Sequence, residues 1–382
     1  MKAGNKKKIN LVFLIFVVLV TIILWYIPTG FENPSLTDSA YREKAEVIEV
    51  NNDDLQKHSI VTVGSQDLKI KVLTGPFKGD TLKATNVLMG QMKIDKLFKK
   101  GDIVLAVLKK GGEDNRVVSA RADDIYRINI EIILFLLFAL FLVSFAGWTG
   151  FKALISFVFT AMVIWKVLIP LFLNGISPLP VAFAVVTLTT TVIILLISSF
   201  TRKGLVALSG SIAGIGLTTV LAVVFGYFFR IPGTVQEFSE TLLFAGFVNL
   251  DLSDIFISAI FISAAGAVMD VAMDIAAAQN EIAEKKPDIK TRELILSGFH
   301  VAYPVIGTMT TTLLFAYSGS FTFLFMVFMA KGTPMISVFN MNFIAAEILY
   351  TLVGSFGLVL VAPVTALIGG YVYTNKKLFT KK

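Results

Sequence analysis

The chain has 382 residues, of which 55% are hydrophobic and only 16% charged, with a mean hydropathy of +0.77. That excludes a water-soluble domain: apolar runs of about 20 residues, each long enough to cross ~30 Å of hydrocarbon, recur along the sequence. The absence of cysteine excludes disulfides and thiolate metal or redox sites, and the net charge of +7 lies in two lysine clusters rather than in a nucleic-acid-binding surface.

Those clusters are Lys2, Lys6, Lys7 and Lys8 before the first apolar run, and Lys376, Lys377, Lys381 and Lys382 after the last. They read as positive-inside signals that place both termini in the cytoplasm, where they meet the anionic headgroups of the bilayer. The first run, Ile9 to Ile27, ends in the interfacial pair Trp25 and Tyr26. The "WYIPTG" that follows is bulky and aromatic rather than small, so an uncleaved anchor over residues 1–28 is expected instead of a removable signal peptide.

Residues 29–128 change character. "DLKIKVL" alternates strictly, with Leu68, Ile70 and Val72 on one face and Lys69 and Lys71 on the other. "KAEVIEV", "HSIVTV", "TLKATNVL", "GDIVLAVL" and "RVVSARA" are further short β-rich runs, divided by turn chemistry at "NNDD", "TGPFKGD", "KKGD" and "KKGGEDN". Five or six short strands in about 100 residues predict a small extracytoplasmic all-β domain, a barrel of the OB or SH3-like kind.

From residue 129 to 372 the chain is membrane again. Spans are expected at about 129–149, 151–173, 178–199, 204–229, 253–278, 298–329 and 341–372. With the anchor they make an all-α polytopic bundle of about eight transmembrane helices, followed by a basic tail over 373–382. The loops "TRKG" and "EKKPDIKTREL" fall inside on this count and carry Lys and Arg, while Lys331 falls outside. The run 298–329 is too long for one straight span. Pro304 is expected to kink it, and "SGS" at 318–320 to break it, leaving 321–330 as a half-span or re-entrant segment. An internal echo links Gly214, Thr218, Thr219 and Gly226 to Gly307, Thr311, Thr312 and Gly319 at constant offset. "GSIAG" at 210–214 is a close-packing GxxxG element.

The chemistry-bearing positions are few. At 100° per residue Ser263, Asp270, Asp274 and Glu281 share one helix face with Gly266, which reads as a face turned into the bundle. Asp270 is the deeper carboxylate. An Asp at a span centre costs about 2.5–3.5 kcal/mol, and such residues mark ion paths or proton relays unless they merely tie two helices together. The next span offers Thr308 and Thr311 beside Gly307, a polar lining unless the hydroxyls only bond back to the preceding turn. Glu347 lies in the outer half of the last span with Thr351 and Gly354 on its face. Asp270, Asp274, Thr308, Thr311 and Glu347 are therefore the candidate ion or substrate pathway. His300 has no partner at metal-ligand spacing and reads as interfacial. The chain has neither a phosphate-binding G-x-x-x-x-G-K-[ST] nor an H-E-x-x-H, and "ALSG" lacks the first Gly of a rhomboid-like serine motif, so no cofactor and no enzymatic activity are expected.

"AAGAVMDVAMDIA", "GTMTTTLLFAYSG" and "EILYTLVGSFGLVLVAPVTALIGG" resemble the signature segments of the YibE/F-like multi-pass bacterial membrane proteins, and the resemblance spans most of residues 129–372. It places Asp270, Gly307, Thr308, Glu347, Gly354, Ser355, Gly357 and Pro363 on signature positions. The sequence departs at Asp274, where a small polar residue is frequent, and at Tyr303, Pro304 and Tyr350, where charged residues are. The resemblance implies the longer family type with an N-terminal β-domain. It also implies assembly with a shorter sibling subunit or with copies of itself. Two functions fit: a permease or transporter subunit with a cation- or proton-coupled intramembrane carboxylate, or a non-transporting assembly or regulatory protein whose external domain binds a partner.

Overall fold

The computed structural model describes residues 3–31, 40–110 and 117–375, without the side chains of residues 3–7 and of Ser320. The C-terminal lysines and most of the "KKGGEDN" turn lie outside the described residues. Two compact units are formed, Phe31–Phe141 and Met1–Gly30 with Leu142–Lys382.

The first unit holds six strands: β1 (Ala40–Asn51), β2 (Gln56–His58), β3 (Val61–Val72), β4 (Thr81–Met89), β5 (Ile103–Lys110) and β6 (Val117–Ile125). The sheet runs β1-β5-β6-β4-β3, and β3 pairs back onto β1, closing a five-stranded barrel to which β2 adds a short hairpin. Every pairing is antiparallel except β4 with β6 at Ala84↔Ala120. That order, with its single parallel pair, is a Greek-key barrel of the OB kind, which settles between the two expected types. The period-2 pattern does the work: Leu68, Ile70 and Val72 enter a core with Val47, Val104 and Leu108, while Lys69 and Lys71 face out.

One buried polar group closes the barrel's end. The Gln66 side chain donates to Asn52 Oδ1 (2.8 Å) and Phe98 O (3.2 Å), and its Oε1 accepts from Asn86 Nδ2 and Phe98 N. All its hydrogen-bonding capacity is thus used, as burial demands. Near the same end, through Lys96, whose carbonyl accepts from Asn86, Asp124 accepts from the side chains of Lys96 and Arg127 and from Ile125 N. Burial pushes its carboxyl up, but the Lys96 and Ile125 hydrogen bonds, with the Lys96 and Arg127 charges, outweigh that and hold it below the ordinary carboxylate value.

The helical elements are α1 (Ala3–Tyr26), α2 (Ile128–Val163), a π-turn (Ile164–Leu168), α3 (Ile169–Leu173), α4 (Pro178–Ser198), α5 (Arg202–Phe229), α6 (Ser239–Phe244), α7 (Leu252–Lys285), α8 (Thr291–Ser318), α9 (Thr322–Ala330), α10 (Met335–Phe339) and α11 (Asn342–Thr374). Among the described residues seven helical stretches are long and apolar enough to cross a membrane. One of them, Ile128–Leu173, has 46 residues, roughly 69 Å at 1.5 Å per residue and more than twice a hydrocarbon core. Gly147, at φ 55 and ψ −129, breaks the α-helical backbone within it, so the stretch is two helices meeting at a kink rather than one. The chain is a multi-pass membrane protein.

The core of the helical unit is built on α5, α7 and α11. α5 and α11 cross antiparallel through a ladder of small residues at four-residue intervals. A Cβ at Gly210 would lie 2.2 Å from Thr365 Oγ1, one at Gly214 2.7 Å from Val361 Cγ2, and one at Gly357 2.2 Å from Thr218 Oγ1. The GxxxG element is therefore a close-packing seam. Thr218 and Thr365 survive burial there because each hydroxyl donates to the carbonyl four residues back. Pro363 sits inside α11, which continues through it. Ser355 also bonds back, to Thr351 O at 2.7 Å.

The expected break after α8 is present: α8 ends at Ser318, a 3-10 turn follows over Gly319–Phe321, and the short helices α9 and α10 lead to α11. Pro304 lies within α8 without ending it.

Candidate functional site

α7 turns its apolar and alanine-rich sides into the core, with Val268, Val271, Ala272, Ile275 and Ala276 buried. From Ile255 to Glu281 the exposed residues are only Ser263, Gly266, Asp270, Asp274 and Glu281, one stripe at helical spacing. A lipid-facing helix shows the opposite pattern. The carboxylate face read from the sequence as turned into the bundle instead lies open on this chain, because the small apolar residues on the other sides of α7 take the close contacts with α5 and α11. Among the described residues no hydrogen bond or ion pair engages Asp270 or Asp274.

α8 runs back beside α7 and is tied to it at two levels. The Tyr317 hydroxyl donates to Ser263 Oγ (3.0 Å) at one end, and Gln279 Nε2 donates to Leu294 O (3.1 Å) at the other. Counting from Ser263 and Tyr317, seven residues along each helix bring Asp270 level with the Gly307–Thr311 stretch. That stretch is open too: Gly307, Thr308, Thr311 and Thr312 are exposed, and a Cβ at Gly307 would meet nothing within 4 Å. The threonines do bond back, Thr308 to Val305 O (3.0 Å), Thr311 to Gly307 O (3.3 Å) and Thr312 to Thr308 O (3.0 Å). With each proton spent on the helix, their oxygens present lone pairs only. Two carboxylates and a row of hydroxyl acceptors make a stripe suited to a proton or a hard cation, which takes oxygen ligands.

Glu347 lies elsewhere. It lies in the second turn of α11 near the Ser318 end of α8, half-buried and with no hydrogen-bond or ion-pair partner among the described residues, and it borders a cavity with Ser318 and Thr351. Between it and the α7 stripe stand two tyrosines that the sequence pattern did not single out as site residues. The Tyr317 and Tyr350 rings meet edge to face at 5.1 Å, Tyr350 donates to Ala259 O (2.6 Å), and Glu347 acts electrostatically on both. The available signal was a tyrosine inside an apolar span, since a buried phenol needs a partner. Gly354 keeps this junction close: a Cβ there would touch Ala264, Leu313 and the Tyr317 hydroxyl at 3.6–3.9 Å.

Gln279 was missed as well. It is fully buried, donates to Leu294 O and Ala366 O (3.0 Å), and fits because Gly298 and Gly369 carry no Cβ. It joins α7, α8 and α11 below the carboxylates. His300 is exposed beside Tyr303, ring to ring at 6.2 Å.

Comparison with known proteins gives two family models in tandem. The YibE/F-like protein model matches residues 134–375, and the YibE/F family N-terminal domain model matches residues 39–124, the barrel. No curated protein and no solved structure matches the chain. The match over most of the helical unit, preceded by the N-terminal domain, shows that this chain belongs to the YibE/F-like family.

Proposed function

We propose that the chain is a permease-type subunit in which Asp270, with Asp274 and the Thr308 and Thr311 oxygens, passes a cation or proton along the α7–α8 stripe, and that a second YibE/F-like chain closes that stripe. The observation that carries this reading is the inversion on α7, whose only open face within a membrane-spanning helix is polar and acidic. Against lipid an Asp at mid-span costs about 2.5–3.5 kcal/mol, so such a face calls for water or protein over it. The occupant proposed is a copy of this chain or a shorter sibling. The reading is non-enzymatic.

Placement in the bacterial cytoplasmic membrane with both termini inside is part of the same proposal. Phe13 of α1 meets Phe200 at 5.4 Å, next to Arg202 and Lys203, and Lys8 borders a cavity with Phe200. Thr291, in the basic turn between α7 and α8, bonds Thr374 at the end of α11 (2.8 Å). Basic residues thus gather at one end of the helices, as a positive-inside arrangement requires.

The test is flux. In proteoliposomes carrying a pH-sensitive dye, wild type is expected to dissipate an imposed proton or sodium gradient, and Asp270→Asn to match empty vesicles. An Asn variant as active as wild type sinks the reading. For the closing subunit the cysteine-free chain is convenient: a single Gly307→Cys is expected to cross-link to another chain in native membranes, and a single Ser211→Cys, fully buried, is not.

The alternative, a partner-binding assembly protein, is supported by the barrel's exposed Ile60, Met89, Met92 and Ile94, each 64–78% accessible. It predicts that deleting residues 31–127 destroys function while Asp270→Asn is mild.

A further inference from the structure

α9 and α10 are too short to cross a membrane, yet with the outer end of α8 and the start of α11 they wall a cavity of about 690 Å³. That volume is in the range that holds a drug-sized molecule. The wall is apolar apart from three hydroxyl residues and one acid. Phe325, Phe328 and Phe339 supply aromatic rings, Met329 and Met335 supply flexible thioethers, and Glu347 is the one charged residue. No side chain or backbone group among the described residues hydrogen-bonds or pairs with Glu347. A lone carboxylate in an apolar pocket is costly unless it takes up a proton or a positive charge meets it. Phenyl faces attract the same charge, most effectively when it is diffuse and carries no protons that need acceptors. Thioether side chains repack around ligands of different shape.

We propose that this cavity binds a lipophilic organic cation, its apolar body against the phenylalanine and methionine wall and its charge beside Glu347. A lipid acyl chain matches the wall but leaves the acid unmet, whereas an organic cation satisfies both. The proposal goes beyond the permease reading, because this cavity is separate from the Asp270 stripe. As a statement about binding it holds whether or not the stripe around Asp270 conducts.

The experiment uses the full chain purified in detergent, titrated calorimetrically with tetraphenylphosphonium and, in parallel, with tetraphenylborate, which has the same shape and the opposite charge. Saturable one-to-one binding of the phosphonium and none of the borate is expected. Glu347→Gln should weaken the phosphonium by about tenfold or more, and Phe328→Leu, which keeps the wall apolar, by about threefold. Asp270→Asn should bind like wild type, so that loss of flux in that variant and loss of binding in Glu347→Gln are separate results. Wild type binding neither ion, or both equally as a lipid-tail pocket would, overturns the proposal. So does undiminished phosphonium binding in both Glu347→Gln and Phe328→Leu.

Discussion

α5 and α8 carry the same short pattern and use it in opposite ways. Gly214 and Thr218 on α5 are pressed into α11, at distances that leave no room for a Cβ. Gly307 and Thr311 on α8, their counterparts in the internal echo, stand open. In both places the threonine hydroxyl is spent on its own helix, so the pattern by itself identifies neither a site nor a seam. What separates the two is the partner: on α5 this face meets α11, whereas on α8 the Gly307–Thr311 face meets none among the described residues, although Ala302, Ile306, Met309 and Leu313 on its other sides pack into the core. On the proposed reading this open small-residue face, level with Asp270, is where a second chain packs.

The sharpest way to break this comparison is to place the same bulk at both positions. Gly357→Leu drives a side chain into Thr218, and overpacking on that scale is expected to cost about 3 kcal/mol or more. Gly307→Leu is expected to leave the thermal midpoint of the detergent-purified chain within about 0.5 kcal/mol of wild type. Equal losses in the two would mean that α8 packs as α5 does. The ends of the α7–α8 pair are closed where the middle is open, so Gln279→Ala, which removes two buried hydrogen bonds, is expected to lower stability by about 2 kcal/mol in the same melt.

Away from the helices, Asp124→Asn tests the barrel. Its carboxyl is held low in the folded chain, so the stability it contributes is full above the unfolded value near 3.8 and is lost as pH falls through the lower folded value. For a partly exposed pair the contribution is at most about 1 kcal/mol. Amide protection in β5 and β6, taken relative to the intrinsic exchange rate at the same pH, is expected to fall between pH 5 and pH 2 in wild type, and the variant should already show the lower protection at pH 5. The smallest effect on stability is expected at Asp270. Asp270→Asn removes an exposed, unpartnered group and should melt with wild type to within about 0.5 kcal/mol, while its flux is lost. A destabilisation of 2 kcal/mol would make Asp270 a structural tie instead.

Much of this molecule was legible in its sequence, and the reasons are physical. Strict alternation in "DLKIKVL" fixes which side of β3 is buried, since a one-residue slip would expose Leu68, Ile70 and Val72. Long apolar runs place the spans because an unsatisfied backbone cannot cross hydrocarbon. Periodicity put Ser263, Asp270 and Asp274 on one face, and they share it. What periodicity cannot give is the direction in which a face points. That was decided by packing: Gly210, Gly214 and Gly357 let α5 and α11 approach closely, the core formed on the alanine side of α7, and the carboxylates were left on the outside. Only the tertiary structure brought Tyr317 and Tyr350 between Ser263 and Glu347, put Gln279 between two glycines from different helices, and folded α9 and α10 over Glu347. Each of these joins residues from separate elements, and the periodicity of one element does not encode which other element it will meet.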